Sequence, residues 1–225
     1  MILLIGGEKG GTGKSVFSCN LSVCLAKAGR DVLLLDADPQ RTATNWVNRR
    51  NNNYPDLPKI NCIQKTGDIF ETVRDMADRY EEVIIDAGGR DSEELRTALV
   101  TSHKVISPIR PSQDNIETIG RMIKLISHAK SINRVLEPYL IINMASTNPN
   151  VKSAAETINL LKEQQDIFTI LSDFVVNDYK IFQDANADGL SVIETQHVKA
   201  KTQIENVFKF LYSNLVSNKS MVNYG

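Results

Sequence analysis

A three-layer α/β fold, with a mostly parallel twisted sheet flanked by helices, is what this sequence predicts. Three observations carry the expectation. Short apolar runs alternate with helical patterns almost to the end of the chain, the signature of right-handed strand–helix–strand units. The runs Val32-Leu33-Leu34-Leu35 and Val83-Ile84-Ile85 are apolar without interruption, as strands covered on both faces are. The apolar start Met1–Ile5 runs straight into Glu8-Lys9-Gly10-Gly11-Thr12-Gly13-Lys14-Ser15, a glycine-rich turn that opens a helix.

Taken in order, strands are expected near Ile2–Gly6, Val32–Asp36, Ile60–Gln64, Val83–Asp86, Val105–Ile109 and Tyr139–Asn143, with a weaker one near Ile170–Val176. Helices are expected over about Lys14–Ala28, Arg41–Arg50, Asp68–Tyr80, Ser92–Thr101, Gln113–Ile132, Val151–Gln164, Lys180–Ala187 and Thr195–Val216. In the last of these, Val198, Ile204, Val207, Phe208, Leu211 and Leu215 recur at helical spacing and should face the core. The polar stretch Arg49–Asp56, with three asparagines and Pro55, reads as a surface loop rather than a boundary. Neither a low-complexity linker nor an internal repeat stands out, so residues 1–225 read as one domain.

Composition narrows the function classes. A chain of 225 residues, 42% hydrophobic and 24% charged, can bury a sizeable core. Its net charge of −1 gives no global drive towards nucleic acid or membrane, so any DNA contact must come from a local basic patch. Cys19, Cys24 and Cys62 lack metal-type spacing and suit reduced thiols in a cytoplasmic protein. Cys19 and Cys24 lie on the first helix and read as small core residues. No stretch approaches the ~18 consecutive apolar residues of a membrane span, and the N-terminus opens a strand rather than a signal peptide.

The glycine-rich turn is the strongest chemical signal. Backbone N–H groups of such a loop, aided by the positive end of the following helix, cradle polyphosphate. Lys14 is placed to reach the β- and γ-phosphates, and the Ser15 hydroxyl to ligate Mg²⁺. Solvated lysines on an ordinary turn are the plain alternative, but strand, glycines, lysine and hydroxyl arrive in the required order.

The pattern K-G-G-x-G-K-[ST], with Glu8 in place of the usual first glycine, resembles the deviant Walker A box of the ParA/MinD class of P-loop NTPases. The resemblance spans essentially the whole chain and is nearest to the short, ParF-like plasmid-partition branch. It implies an ATPase whose nucleotide site includes Lys9, Gly10, Gly11, Thr12, Gly13, Lys14, Ser15 and Val16. In that family the early lysine, here Lys9, crosses a homodimer interface to the other subunit's phosphates, so Lys9, Lys14 and Asp38 would be the catalytic residues.

A nucleotide site in an open α/β sheet needs carboxylates at neighbouring strand ends, and the sequence supplies them. Asp36-Ala37-Asp38-Pro39-Gln40 resembles the family's D-x-D-P-Q signature, which implies that Asp38 orients the attacking water and Asp36 sits near the Mg²⁺ shell. Asp86 closes the run Glu82–Asp86 and could hold Mg²⁺ opposite Ser15. Ala87-Gly88-Gly89 resembles the family's second switch, without its common D-x-P-P form. Asn143, at a strand end, is by resemblance the adenine contact, although a polar residue closing a strand accounts for it equally well. Asn177 is its expected neighbour, in a stretch that lacks the family's usual proline. Asp188-Gly189-Leu190-Ser191-Val192 echoes a family segment before the last helix.

The resemblance leaves three functions to weigh. One is DNA segregation by an ATP-bound dimer that coats nucleoid DNA nonspecifically and is stimulated by a centromere-binding adaptor. The second is positioning of a protein cargo or division factor. The third is a metabolic relative, such as an iron protein or a synthetase. The cysteines are wrongly placed for a cluster at a dimer axis. The tail Ser217–Gly225 lacks the basic amphipathic character of a membrane-cycling helix, and no operator-reading module precedes the first strand. Segregation is therefore preferred, with cytoplasmic, nucleoid-associated localisation. Nonspecific duplex binding needs clustered cations. Lys199, Lys201 and Lys209 on the last helix are the first candidates, and Arg49 with Arg50 the second.

Overall fold

The computed structural model describes residues 1–162, 166–213 and 215. Its sheet is formed by β1 (Ile2–Ile5), β2 (Val32–Asp36), β3 (Asn61–Gln64), β4 (Glu82–Asp86), β5 (Lys104–Ile109), β6 (Glu137–Ala145) and β7 (Thr169–Asn177). Between and after them run α1 (Lys14–Lys27), α2 (Thr42–Asn53), α3 (Phe70–Arg79), α4 (Glu93–Thr101), α5 (Gln113–Ile132), α6 (Ser153–Leu161), α7 (Lys180–Asp188) and α8 (Val198–Leu211). The strand order is β3-β2-β4-β1-β5-β6-β7, and every pairing is parallel. The three-layer architecture is the one the sequence predicts.

Alternation along each central strand sends side chains into two cores. Leu3, Ile5, Leu34 and Ile84 pack with Phe17, Leu21, Ile204, Val207 and Leu211 on one face. Ile2, Leu4, Leu35, Val83 and Ile85 pack with Val73, Leu95, Leu99, Ile126 and Leu161 on the other. That two-sided burial is why β1, β2 and β4 are apolar without interruption.

Element ends differ from expectation where tertiary ties intervene. Residues Val192–Glu194 form a 3-10 turn, closed by a capping box between Ser191 and Glu194, so α8 starts at Val198 rather than Thr195. Val198, expected in the core, is 73% exposed. The buried stripe is Ala200, Ile204, Val207 and Leu211, and position 198 falls off that 3.6-residue repeat. The strand expected near Ile170–Val176 is longer, and its register against β6 shifts on both sides of Ile142. The expected helix ends at Gln164 and Val216, and the tail Ser217–Gly225, lie outside the described residues. Among the described residues no helix is long and apolar enough to cross a membrane.

Candidate functional site

The sheet register assembles the site. Ile5 at the end of β1 lies opposite Asp86 at the end of β4, and Asp86 lies opposite Asp36 at the end of β2. Both carboxylates thus stand beside the loop that leaves β1. Ligands bind at the carboxyl ends of such strands.

Gly13 precedes α1 in the left-handed region, at φ 83. A β-carbon there would also come within 2.5 Å of the Asn143 amide nitrogen, so the position requires glycine on two counts. The first turn of α1 has no side-chain cap and no acidic residue. Its N–H groups and dipole are therefore left for an anion.

Lys14 is buried, and its ammonium donates to the Lys9 carbonyl at 2.8 Å. Burial pushes the Lys14 pKa down, while Asp86 and Asp38 pull it up. A buried cation facing two carboxylates is poised to meet phosphate oxygens.

Asp86 is fully buried. Burial pushes its carboxyl up to about 7, with the Asp36 charge adding to the rise and the Ser15 and Ser18 hydroxyls and Lys14 opposing it. Ser18 donates to its Oδ1 at 3.0 Å, whereas its Oδ2 is buried without a hydrogen-bond partner. Asp36 is held differently. Its Oδ2 accepts from the Thr44 N–H at 2.7 Å and the Thr44 hydroxyl at 2.8 Å, and its Oδ1 accepts from the Asp38 N–H at 3.2 Å. The all-oxygen donor set of Ser15, Asp36 and Asp86, with one orphaned carboxylate oxygen, fits a hard divalent cation such as Mg²⁺. Asp86 has the open valence, and Asp36 is already committed to α2.

Asp38 is half-exposed, and its Oδ1 accepts from the Gln40 N–H at 2.9 Å. Gly88 lies against this carboxylate, since a β-carbon there would come within 3.4 Å of it. The next residue is tighter still. A β-carbon on Gly89 would meet the Gly10 nitrogen at 2.5 Å and the Lys9 carbonyl carbon at 2.7 Å. The segment after β4 therefore rests directly on the phosphate loop.

At the other end of the loop, Asn143 donates to the Thr12 carbonyl at 2.7 Å. Gly13, Val16, Asn143, Met144, Asn177 and Phe182 line one small cleft, so the structure brings the two expected base-side asparagines together beside the start of α1. Asn177 is fixed there by Gln203, which donates to its Oδ1 at 2.6 Å and accepts from its N–H at 3.0 Å. Met144 holds φ 56, an uncommon backbone state that tends to mark working sites.

The cationic candidates divide. Lys201 and Lys209 border a cleft between α1 and α8 together with Lys27, but Lys199 does not. Residues two apart on a helix do not share a face. Arg49 and Arg50 are not available to DNA as a pair. Arg50 is fully buried, bonded to both carboxylate oxygens of Glu194 at 2.8 Å, and Arg49 donates to the Asn186 carbonyl at 3.2 Å. Of the segment expected to be a surface loop, Arg49–Asn53 is the end of α2, with Arg49 and Arg50 bonded to α7 and the residue after it, while Asn52, Asn53, Pro55 and Asp56 are exposed as expected.

Sequence reasoning missed Ser18, Asn20 and Thr44. Asn20 accepts from the Ser191 hydroxyl at 2.7 Å and the Val192 N–H at 2.9 Å, tying α1 to the segment before α8. The available signal was the run of polar residues Ser18, Asn20 and Ser22 in a helix otherwise built for burial. A polar side chain there needs a partner.

The profile of the CobQ/CobB/MinD/ParA nucleotide binding domain matches residues 3–190. The chain is 26% identical over 154 residues to Protein ParA of Rhizobium radiobacter, covering 68% of this chain and 67% of that protein. It is 24% identical over 156 residues to the maintenance of carboxysome distribution protein A of Halothiobacillus neapolitanus, covering 69% and 71% respectively. Its fold is similar to that of a plasmid partition protein from Borrelia burgdorferi, with TM-score 0.65, 18% identity and coverage of 92% of this chain and 96% of that one.

Proposed function

This chain belongs to the CobQ/CobB/MinD/ParA nucleotide-binding family as a ParA-type ATPase, and on that premise we propose that it is an ATP-hydrolysing partition motor. In this reading it dimerises on ATP, binds DNA without sequence preference and moves plasmid or mobile-element DNA with a centromere-binding adaptor. The observation that carries the reading is the convergence of the glycine-rich loop, Asp86 and the Asp38–Gly88 contact at the carboxyl ends of three adjacent central strands.

Each residue then has a task. The N–H groups of Gly10–Ser15 and the Lys14 ammonium bind the β- and γ-phosphates. Asn143 and Asn177 flank the base in the cleft beside Val16. Ser15 and Asp86, with Asp36 behind them, would hold Mg²⁺, which supplies charge neutralisation on the phosphates when bound. Asp38 orients the water for in-line attack, and Lys9 of each subunit enters the other's site. Positioning and electrostatics suffice, because phosphoryl transfer asks little covalent help from a protein.

Lys201 and Lys209, with Lys199 on an adjoining face, are the DNA contacts of this reading. The test is duplex binding by the full chain. ATP, but not ADP, should support binding that weakens steeply with salt, as lysine–phosphate contacts release counterions. Glutamate at all three positions should remove it while ATP turnover persists. If the ATP-loaded parent shifts no duplex at low salt, the DNA reading falls. Similarity to the carboxysome distribution protein at nearly the same identity then favours the second reading, a same-fold ATPase that positions a protein cargo.

A further inference from the structure

A groove of about 1130 Å³ runs between α4 and α5, and its upper rim is Glu8, Lys9 and Gly10 of the phosphate loop with Gly89 and Arg90 of the segment after β4. It exceeds the ~300–1,000 Å³ typical of small-molecule pockets. The α5 wall is Arg121, Lys124, Leu125, His128, Ala129 and Ile132, which recur at helical spacing and so present one stripe. The floor towards α4 is Leu99 and Val100. Ile132, the last residue of α5, is 65% exposed, so the apolar side of this wall is open to solvent at its far end.

Charge gives the groove a sign. Its acidic members are already matched: Asp91 pairs with Arg96 at 2.6 Å and Glu8 with Arg121 at 3.5 Å. Arg90 and Lys124 form no ion pair among the described residues. An apolar stripe flanked by uncompensated cations, on a chain of net charge −1, is complementary to an acidic amphipathic helix.

We propose that the α4–α5 groove docks an acidic amphipathic helical segment of a partner protein. The proposal rests on the reading that this ATPase works with such a partner. It adds the chemistry of the docking segment: apolar anchors at helical spacing against Val100, Leu125 and Ile132, and carboxylates towards Arg90 and Lys124. Because Gly10 and Gly89 share the groove's rim, a docked segment would touch the two loops that the nucleotide must also touch.

The test uses the full chain without nucleotide and a labelled synthetic peptide of about 20 residues, with leucines at helical spacing and glutamates elsewhere. Fluorescence anisotropy should show saturable binding, about tenfold or more tighter than for the same peptide with lysine in place of glutamate. Lys124→Glu and Ile132→Ser should each weaken the acidic peptide about tenfold while leaving ATP affinity in calorimetry at the parental value. Both side chains are exposed, so folding should be unaffected.

Absence of saturable binding, equal binding of the two peptides, or indifference to both substitutions would overturn the proposal. If the two variants instead lose an ATP-dependent dimer in light scattering while the peptide never binds the parent, the groove is an interface between copies and the proposal is wrong. A parent that binds the peptide but not ATP sinks the motor reading alone.

Discussion

Replacing Glu194 with alanine should destabilise the chain far more than its place in a short connecting turn suggests. The Arg50 guanidinium is fully buried and donates to both Glu194 oxygens at 2.8 Å, while its other protein acceptors, the Pro58 and Gly189 carbonyls, stand at 3.4 Å. Removing the carboxylate strands a cation in the core with only long bonds. Breaking a buried pair from one side costs about 3–5 kcal/mol. The same carboxylate accepts from the Ser191 N–H at 3.0 Å in the capping box, so the upper half of that range applies. At about 2–4 °C per kcal/mol for a chain of this size, Tm should fall by roughly 8–20 °C in calorimetry or circular dichroism. Arg50→Met combined with Glu194→Ala should recover part of the loss, because no charge is then stranded. A Glu194→Ala variant melting within about 2 °C of the parent would refute the reasoning and show that the guanidinium finds other solvation.

Three further outcomes follow from the site. Burial holds Asp86 protonated up to about pH 7, against an ordinary 3.8, so the folded state carries the extra proton between those values. Stability of the nucleotide-free chain should therefore fall as pH rises from about 4 to 7, by of the order of 4 kcal/mol, and level off above; an Asp86→Asn variant with the parental slope would contradict this. Adding Mg²⁺ with ATP should flatten the same slope, because a cation bound at the carboxylate favours its ionised form against the opposing charge of the phosphates, and an unchanged slope would argue against Asp86 as a ligand. Lys9→Ala should still bind ATP, since the backbone carbonyl that receives the Lys14 ammonium is retained, but should lose the ATP-dependent dimer in light scattering. A dimer of normal stability would reduce Lys9 to a local role.

The readable parts of this sequence were those governed by local rules. β1, β2 and β4 are continuously apolar because helices cover both faces, and the phosphate loop announces itself because its glycines, lysine and hydroxyl are contiguous. What escaped depends on partners far apart in the chain. Arg50 looked like a surface cation because Glu194 is 144 residues away. The Thr44 bonds that commit Asp36 to α2, and the Asn143 bond to Thr12, are set by strand register rather than spacing. Val198 is apolar and begins α8, but it lies off the 3.6-residue repeat of the buried stripe Ala200, Ile204, Val207 and Leu211. Gly89 belongs to the stretch that resembles the family's second switch. Its closer constraint is the backbone of Gly10, which no local pattern encodes.

The central claim, that this site hydrolyses ATP with Asp38 acting on the water and Lys14 on the phosphates, is tested most directly by phosphate release. Measured side by side at saturating ATP and Mg²⁺, the parent should turn over slowly. Asp38→Ala should bind ATP with near-parental affinity and release no phosphate above background, and Lys14→Ala should bind none. Parental turnover by Asp38→Ala, or near-parental ATP affinity in Lys14→Ala, would contradict the account.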